Sequence, residues 1–219
     1  MSQESFISDM QRALGRPVQT RGGQPAAGDV RAYFRTLSGN PSQALAAYEE
    51  YAGSFMIHVA AATRGRTGDV TWPGGTCDQW SEIVSRPQDR QHRRMIDCEG
   101  YAYLAQDLLT EADWSFIGYE VIYLPTQTEP EDFHIMAVLD SPGAQPRRVY
   151  IGHQRASDSW FSEAQRVWPG GFQNAQTVGT SPTAQAGMDR VVRRIESGAA
   201  RELAPLSGRR SISPPSFGD

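Results

Sequence analysis

Two cysteines, Cys77 and Cys98, and four histidines, His58, His92, His134 and His153, hold the nucleophilic and acid–base chemistry open to this chain. A cysteine attacks as its thiolate, and the free N–H groups and macrodipole at a helix N-terminus favour that form. Cys98 opens a segment whose apolar residues Ala102, Ala105, Leu108 and Leu109 fall at +4, +7, +10 and +11. That spacing predicts a helix over 98–110, capped by Asp97, which buries the side Cys98 starts and lowers the thiol pKa. Taken alone, Cys98 reads first as a small buried hydrophobe, which is what most free cysteines are. A nucleophilic cysteine needs a base, usually histidine. His134 opens the predicted strand 133–139, from which it can face the N-terminus of the cysteine helix. His58 falls within an apolar helical stretch and reads as packing. His92 stands beside Arg90, Arg93 and Arg94 and reads as solvated. Cys77 has no apolar helical spacing after it and reads as structural, or as a thiol near the cleft.

A third group should orient the imidazole. Pairing Leu139 with Arg147 in an antiparallel hairpin sets residue 152 opposite His134, within about two residues. Alternation then puts Gln154 on the His134 face, with His153 as runner-up if a bulge follows Gly152. Asp140 is too far along the strand, and Asp158 serves only if the strand runs on. Gln79, Trp80 and Gln91 are candidate oxyanion donors beside the Cys98 N–H. The histidines lack ligand spacing such as two four residues apart, and there is no glycine-rich phosphate loop, so neither metal nor cofactor is expected.

The elements that must position these residues are a mixture. Helices are expected over 2–14, from a cap at Asp29 to about 37, over 42–62, near 77–84, over 98–110 and near 183–197. Strands are expected over 116–124, 133–139 and 147–151, and a tryptophan- and glycine-containing loop region after them. The sequence Trp-Pro-Gly-Gly occurs at 72–75 and 168–171 and reads as a turn each time. This order gives an α+β fold, divided as an N-terminal helical region (1–62), a core (63–200) and a disordered Ser/Pro/Gly/Arg-rich tail (201–219). The chain has 219 residues with 39% hydrophobic and 21% charged, which is ordinary globular usage. Its net charge of −4 argues against nucleic acid or an anionic membrane as partner, and no apolar run is long enough to span a bilayer. The polar start shows no secretory leader, so a cytoplasmic location, or export without a cleaved signal, is expected. All 21 basic residues are arginine; a chain without lysine offers only its N-terminus as an amine acceptor.

The run Asp97-Cys98-Glu99-Gly100-Tyr101-Ala102-Tyr103-Leu104-Ala105-Gln106-Asp107-Leu108-Leu109 resembles the nucleophile helix of the transglutaminase-like branch of the papain-like cysteine enzymes. Phe133-His134-Ile135-Met136-Ala137-Val138 resembles their histidine strand, and Val149-Tyr150-Ile151 the strand bearing the third member. The likeness covers about residues 95–155 and departs at that third place, where Gly152, His153 and Gln154 stand instead of the usual aspartate. The resemblance implies a papain-like core with added N-terminal helices, and thiol-dependent acyl transfer on a peptide or side-chain amide. The chain would then act as a bacterial cysteine protease, deamidase or transglutaminase. The alternatives are a catalytically degenerate binding or scaffold module, and a secreted effector or toxin with a modifier or immunity protein as partner.

Overall fold

The computed structural model describes residues 2–59, 79–125 and 133–197. The architecture is mixed α and β. Helix α1 (Gln3–Leu14) is capped by the Ser2 hydroxyl, which accepts from Ser5 N–H, and closed by Gly15 at φ +65°. A two-residue hairpin, β1 (Thr20–Arg21) and β2 (Gln24–Pro25), leads into α2 (Ala27–Arg35). Its cap is Ala26, not Asp29. The Asp29 carboxylate is drawn back to the preceding loop, where it accepts from Gln19 N–H at 3.0 Å and pairs with Arg16 at 2.6 Å.

Helix α3 (Pro41–Phe55) starts where expected, with Asn40 as cap and Pro41 in the first turn. It ends well before residue 62. The Gln24 amide donates to the Phe55 carbonyl at 3.0 Å, and the chain turns into β3 (Met56–His58). This strand pairs in parallel with β4 (Arg94–Ile96), with His58 opposite Ile96. The expectation that His58 sits within a helix is therefore corrected: a strand carries it to the residue two before Cys98. Short α4 (Trp80–Ser85) precedes β4.

Asp97 caps α5 (Cys98–Glu111) by accepting from Gly100 N–H at 3.0 Å, as its position predicted. Ala102, Ala105, Leu108 and Leu109 are fully buried. Strands β5 (Ser115–Tyr123), β6 (Phe133–Asp140), β7 (Arg148–Ile151) and β8 (Gln176–Ser181) form one antiparallel sheet in the order β7-β6-β5-β8. The expected hairpin register is off by two residues: Leu139 pairs with Val149, and Asp140 with Arg148. A shift of two preserves which face each residue lies on. The region read as loop after β7 holds a further helix, α6 (Trp160–Val167), capped by Ser159, and the strand β8; α7 (Ala184–Glu196), capped by Thr183, follows.

Helices α1, α2, α3 and α5 share one apolar core with the sheet, running from Phe6 and Met10 through Tyr48, Leu104 and Ile135 to Val191. A smaller cluster on the opposite face joins Ile122 and Met136 to Ala164 of α6. No helix among the described residues is long and apolar enough to cross a membrane. Cys77, the first Trp-Pro-Gly-Gly sequence and the tail from 201 lie outside the described residues.

Candidate active site

Three pieces of chain meet at the edge of the sheet where β7 stops. The first is the start of α5. The Cys98 sulfur accepts from the Ile135 N–H of β6 at 3.5 Å. Beyond Ile151 no β7 residue pairs with this stretch of β6, so the thiol takes a backbone donor that a longer strand would have claimed.

The second piece is β6 itself. Ile135, Ala137 and Leu139 lie in the main core with α5, while Met136 lies in the cluster with α6. His134 shares the Met136 side by alternation. It does not face the body of the cysteine helix, as its place in the order had suggested. Imidazole and thiol approach β6 from different faces and converge at its edge, the thiol bound to the peptide N–H immediately after His134. Among the described residues no hydrogen bond joins the two side chains. Gly152 packs directly against the His134 ring and the Ile135 carbonyl. A Cβ there would lie 2.3 Å from His134 Nε2 and 2.5 Å from the Ile135 carbonyl oxygen, distances no side chain tolerates.

The third piece is α6. Its first turn carries Glu163, fully buried, whose Oε1 lies 3.1 Å from His134 Nε2. The other oxygen accepts from Ser157 Oγ at 2.6 Å and pairs with Arg166 at 3.1 Å. The side chain that holds the His134 imidazole is Glu163, which the sequence reading missed. Gln154 does not take that place. It lies beside the Tyr101 hydroxyl, because the chain bends after Ile151 and carries it off the expected register. Asp158 pairs with Arg147 at 2.7 Å in an exposed position. His153, the runner-up, does enter the site: its Nδ1 lies 3.2 Å from Glu163 Oε1, and its ring centre 4.7 Å from that of His134.

The bend is held from the N-terminal helices. The Tyr48 hydroxyl of α3 reaches the carbonyls of Tyr101 at 3.1 Å and His153 at 3.3 Å, and Glu49 accepts from Ala156 N–H at 3.0 Å. His58 stacks on His153 with ring centres 4.9 Å apart and planes 3° from parallel. Together with Tyr101, Gln154, Arg155 and Arg166 they line a cavity of about 270 Å³ beside the Glu163 couple.

Burial dominates the electrostatics. It pushes the Cys98 thiol up to about 12, and the Asp97 and Glu99 carboxylates add to that rise against the pull of the Ile135 and Glu99 N–H groups. The lowered thiol pKa expected from the helix start is thus overturned: desolvation and the nearby Asp97 and Glu99 carboxylates outweigh the dipole. Burial also lowers His134, opposed by the hydrogen bond its ring donates to Glu163. His58 falls to about 4 through burial and the neighbouring His153 and His134. For Glu163, burial pushes upward, but His134, His153 and Ser157 outweigh it and hold the carboxyl well below its ordinary range. At rest the site therefore holds a neutral thiol, a neutral imidazole and an ionised carboxylate.

The expected oxyanion donors are engaged elsewhere. Trp80 Nε1 donates to Asp107 at 2.7 Å, the Gln79 amide to Glu82 at 3.2 Å, and Gln91 bonds through its backbone to Gln3 and Asp89. No family model matches the chain, and comparison with the curated proteins and with the solved structures found no match.

Proposed function

We propose that the chain is a cysteine-dependent acyl-transfer enzyme acting on a peptide or side-chain amide, with Cys98 as nucleophile, His134 as base and Glu163 as the positioning residue. The observation that supports this reading is the buried His134–Glu163 couple on the strand residue just before Ile135, whose N–H the helix-start Cys98 thiol accepts from. A carboxylate on Nε2 fixes the tautomer with its proton there, and leaves Nδ1 as the basic nitrogen. With thiol and imidazole both neutral at rest, proton transfer accompanies attack: the Cys98 sulfur bonds to the acyl carbon as its proton passes to His134. His134 then returns that proton to the leaving amine, and the acyl-enzyme passes its acyl group to water or to an amine. Protease, deamidase and transglutaminase share these steps.

A binding module of the same architecture would keep the fold and lack the reaction. An activated ester, p-nitrophenyl acetate, separates the two by intact-mass measurement. The enzyme reading predicts one acetyl adduct on Cys98, absent in Cys98→Ala, and acylation slowed by about 10²–10⁴-fold in His134→Ala. No adduct, or an adduct formed equally fast without His134, favours the binding module.

A further inference from the structure

His134, His153 and Glu163 come from β6, the bend after β7 and α6, and their ligating atoms all lie within 4.8 Å of one another. The separations from Glu163 Oε1 are 3.1 Å to His134 Nε2 and 3.2 Å to His153 Nδ1. Metal–ligand bonds of about 2.0–2.1 Å in a tetrahedron set neighbouring donor atoms about 3.3 Å apart. Two edges of such a tetrahedron are already in place.

An independent observation points the same way. His153 Nδ1 is buried and makes no hydrogen bond. Although it is 3.2 Å from Glu163 Oε1, it lies off the direction a hydrogen bond needs. A buried ring nitrogen outside the hydrogen-bond network is uncommon. The carboxylate is meanwhile pinned from behind, with Ser157 and Arg166 on Oε2, so that Oε1 is presented to both imidazoles. Metal sites hold their ligands in this way.

We infer that His134 Nε2, His153 Nδ1 and Glu163 Oε1 bind a divalent transition-metal ion of the zinc class, and that its binding silences the Cys98–His134 couple. Two imidazoles and one carboxylate suit Zn²⁺, Co²⁺, Ni²⁺ or Cu²⁺ over Ca²⁺ or Mg²⁺. A fourth position remains for water from the cavity that His153 lines. The proton that His134 Nε2 shares with Glu163 must leave when the metal takes that lone pair; in a neutral metal-bound imidazole the ring proton sits on Nδ1, which then has no lone pair to take the Cys98 proton. The silencing rests on the proposed acyl-transfer reading; the binding does not.

Calorimetric titration of the chelator-treated full chain with Zn²⁺ is expected to show one bound ion per chain, and Co²⁺ is expected to give the visible absorption of a four-coordinate site. His153→Ala and His153→Phe should each weaken Zn²⁺ binding by 100-fold or more, the Phe variant preserving the ring stack on His58. Cys98→Ala should leave binding unchanged, and X-ray absorption of the Zn²⁺-loaded wild type should show nitrogen and oxygen neighbours without sulfur. Zn²⁺ should suppress acylation by p-nitrophenyl acetate in the wild type, while the rate retained by either His153 variant should not respond to it. No Zn²⁺ uptake by the wild type, undiminished uptake by both His153 variants, or a sulfur neighbour overturns the site. Zn²⁺ uptake that depends on His153, in a chain that forms no acyl adduct, would reject the acyl-transfer reading and leave the metal site standing.

Discussion

The thiol of Cys98 sits between opposing influences, and their balance sets how it reacts. Backbone donors at Glu99 and Ile135 favour the thiolate; burial and the Asp97 and Glu99 charges oppose it, and win. Alkylation by iodoacetamide at pH 6 is therefore expected to be slow and to climb with pH. Asp97→Asn keeps a side-chain oxygen for the Gly100 cap while removing one of the opposing charges, so labelling at fixed pH should rise roughly threefold or more. Mass spectrometry of the alkylated peptide checks both; fast labelling of the wild type at pH 6 would contradict the neutral resting thiol. Gly152 is the second decisive residue. Gly152→Ala drives a methyl group into His134 Nε2 and the Ile135 carbonyl, so the imidazole must move. The expected cost is about 1–3 kcal/mol of stability, together with loss of acylation. A variant with unchanged melting temperature and rate would show that the close approach does not matter.

Among the elements, α5 places Cys98, the proposed nucleophile, and its own placement depends on a polar anchor. Arg31 of α2 grips Asp107 of α5 with bonds of 2.8 and 2.9 Å, and Trp80 of α4 donates to the same carboxylate. Asp107→Ala strands a partly buried guanidinium and an indole N–H, and should cost about 1–3 kcal/mol in denaturant unfolding. Stability within about 0.5 kcal/mol of the wild type would mean the anchor is dispensable. These elements were unequally legible in the sequence. The 98–110 helix and its Asp97 cap could be read because apolar spacing, cap residue and length agree. So could β5, β6 and β7, to within a residue or so at each end. The end of α3 could not, because Gln24, over thirty residues away, takes its last carbonyl. Helix α6 did carry a local pattern, with Ser159 as cap and Trp160, Ala164 and Val167 at helical spacing, but the glycines and tryptophans around it read as loop. With α6 went Glu163. Hairpin arithmetic sought the orienter on β7, whereas the structure ends that strand at Ile151 and brings the carboxylate from the next helix.

Over the whole molecule, one core couples the N-terminal helices to the site. The bend carrying His153 hangs on Tyr48 and Glu49 of α3. Three titratable groups, His134 and Glu163 buried and His58 half-buried, then tie stability to acid in the same direction. Native His58 and His134 have lowered pKa values, so below about 6.5 the unfolded chain takes up protons that the native chain refuses. Stability is lost as pH falls from there, for His58 toward about 4. Glu163, lowered in the native state, contributes stability above its ordinary carboxyl range that is lost as pH falls through its native value. The urea midpoint should therefore drop steadily from pH 7 to pH 4, and His58→Phe should flatten the upper part of that slope. A midpoint that is constant over this range would contradict the buried neutral pair.

The most direct test of the account is a double-mutant cycle on the acylation rate with His134→Ala, Glu163→Gln and the combined variant, each checked for folding. If Glu163 acts only through the His134 imidazole, Glu163→Gln slows acylation markedly, and adding it to His134→Ala slows the reaction no further. Losses that multiply in the double variant, or a Glu163→Gln rate equal to the wild type, would show that the couple does not serve Cys98.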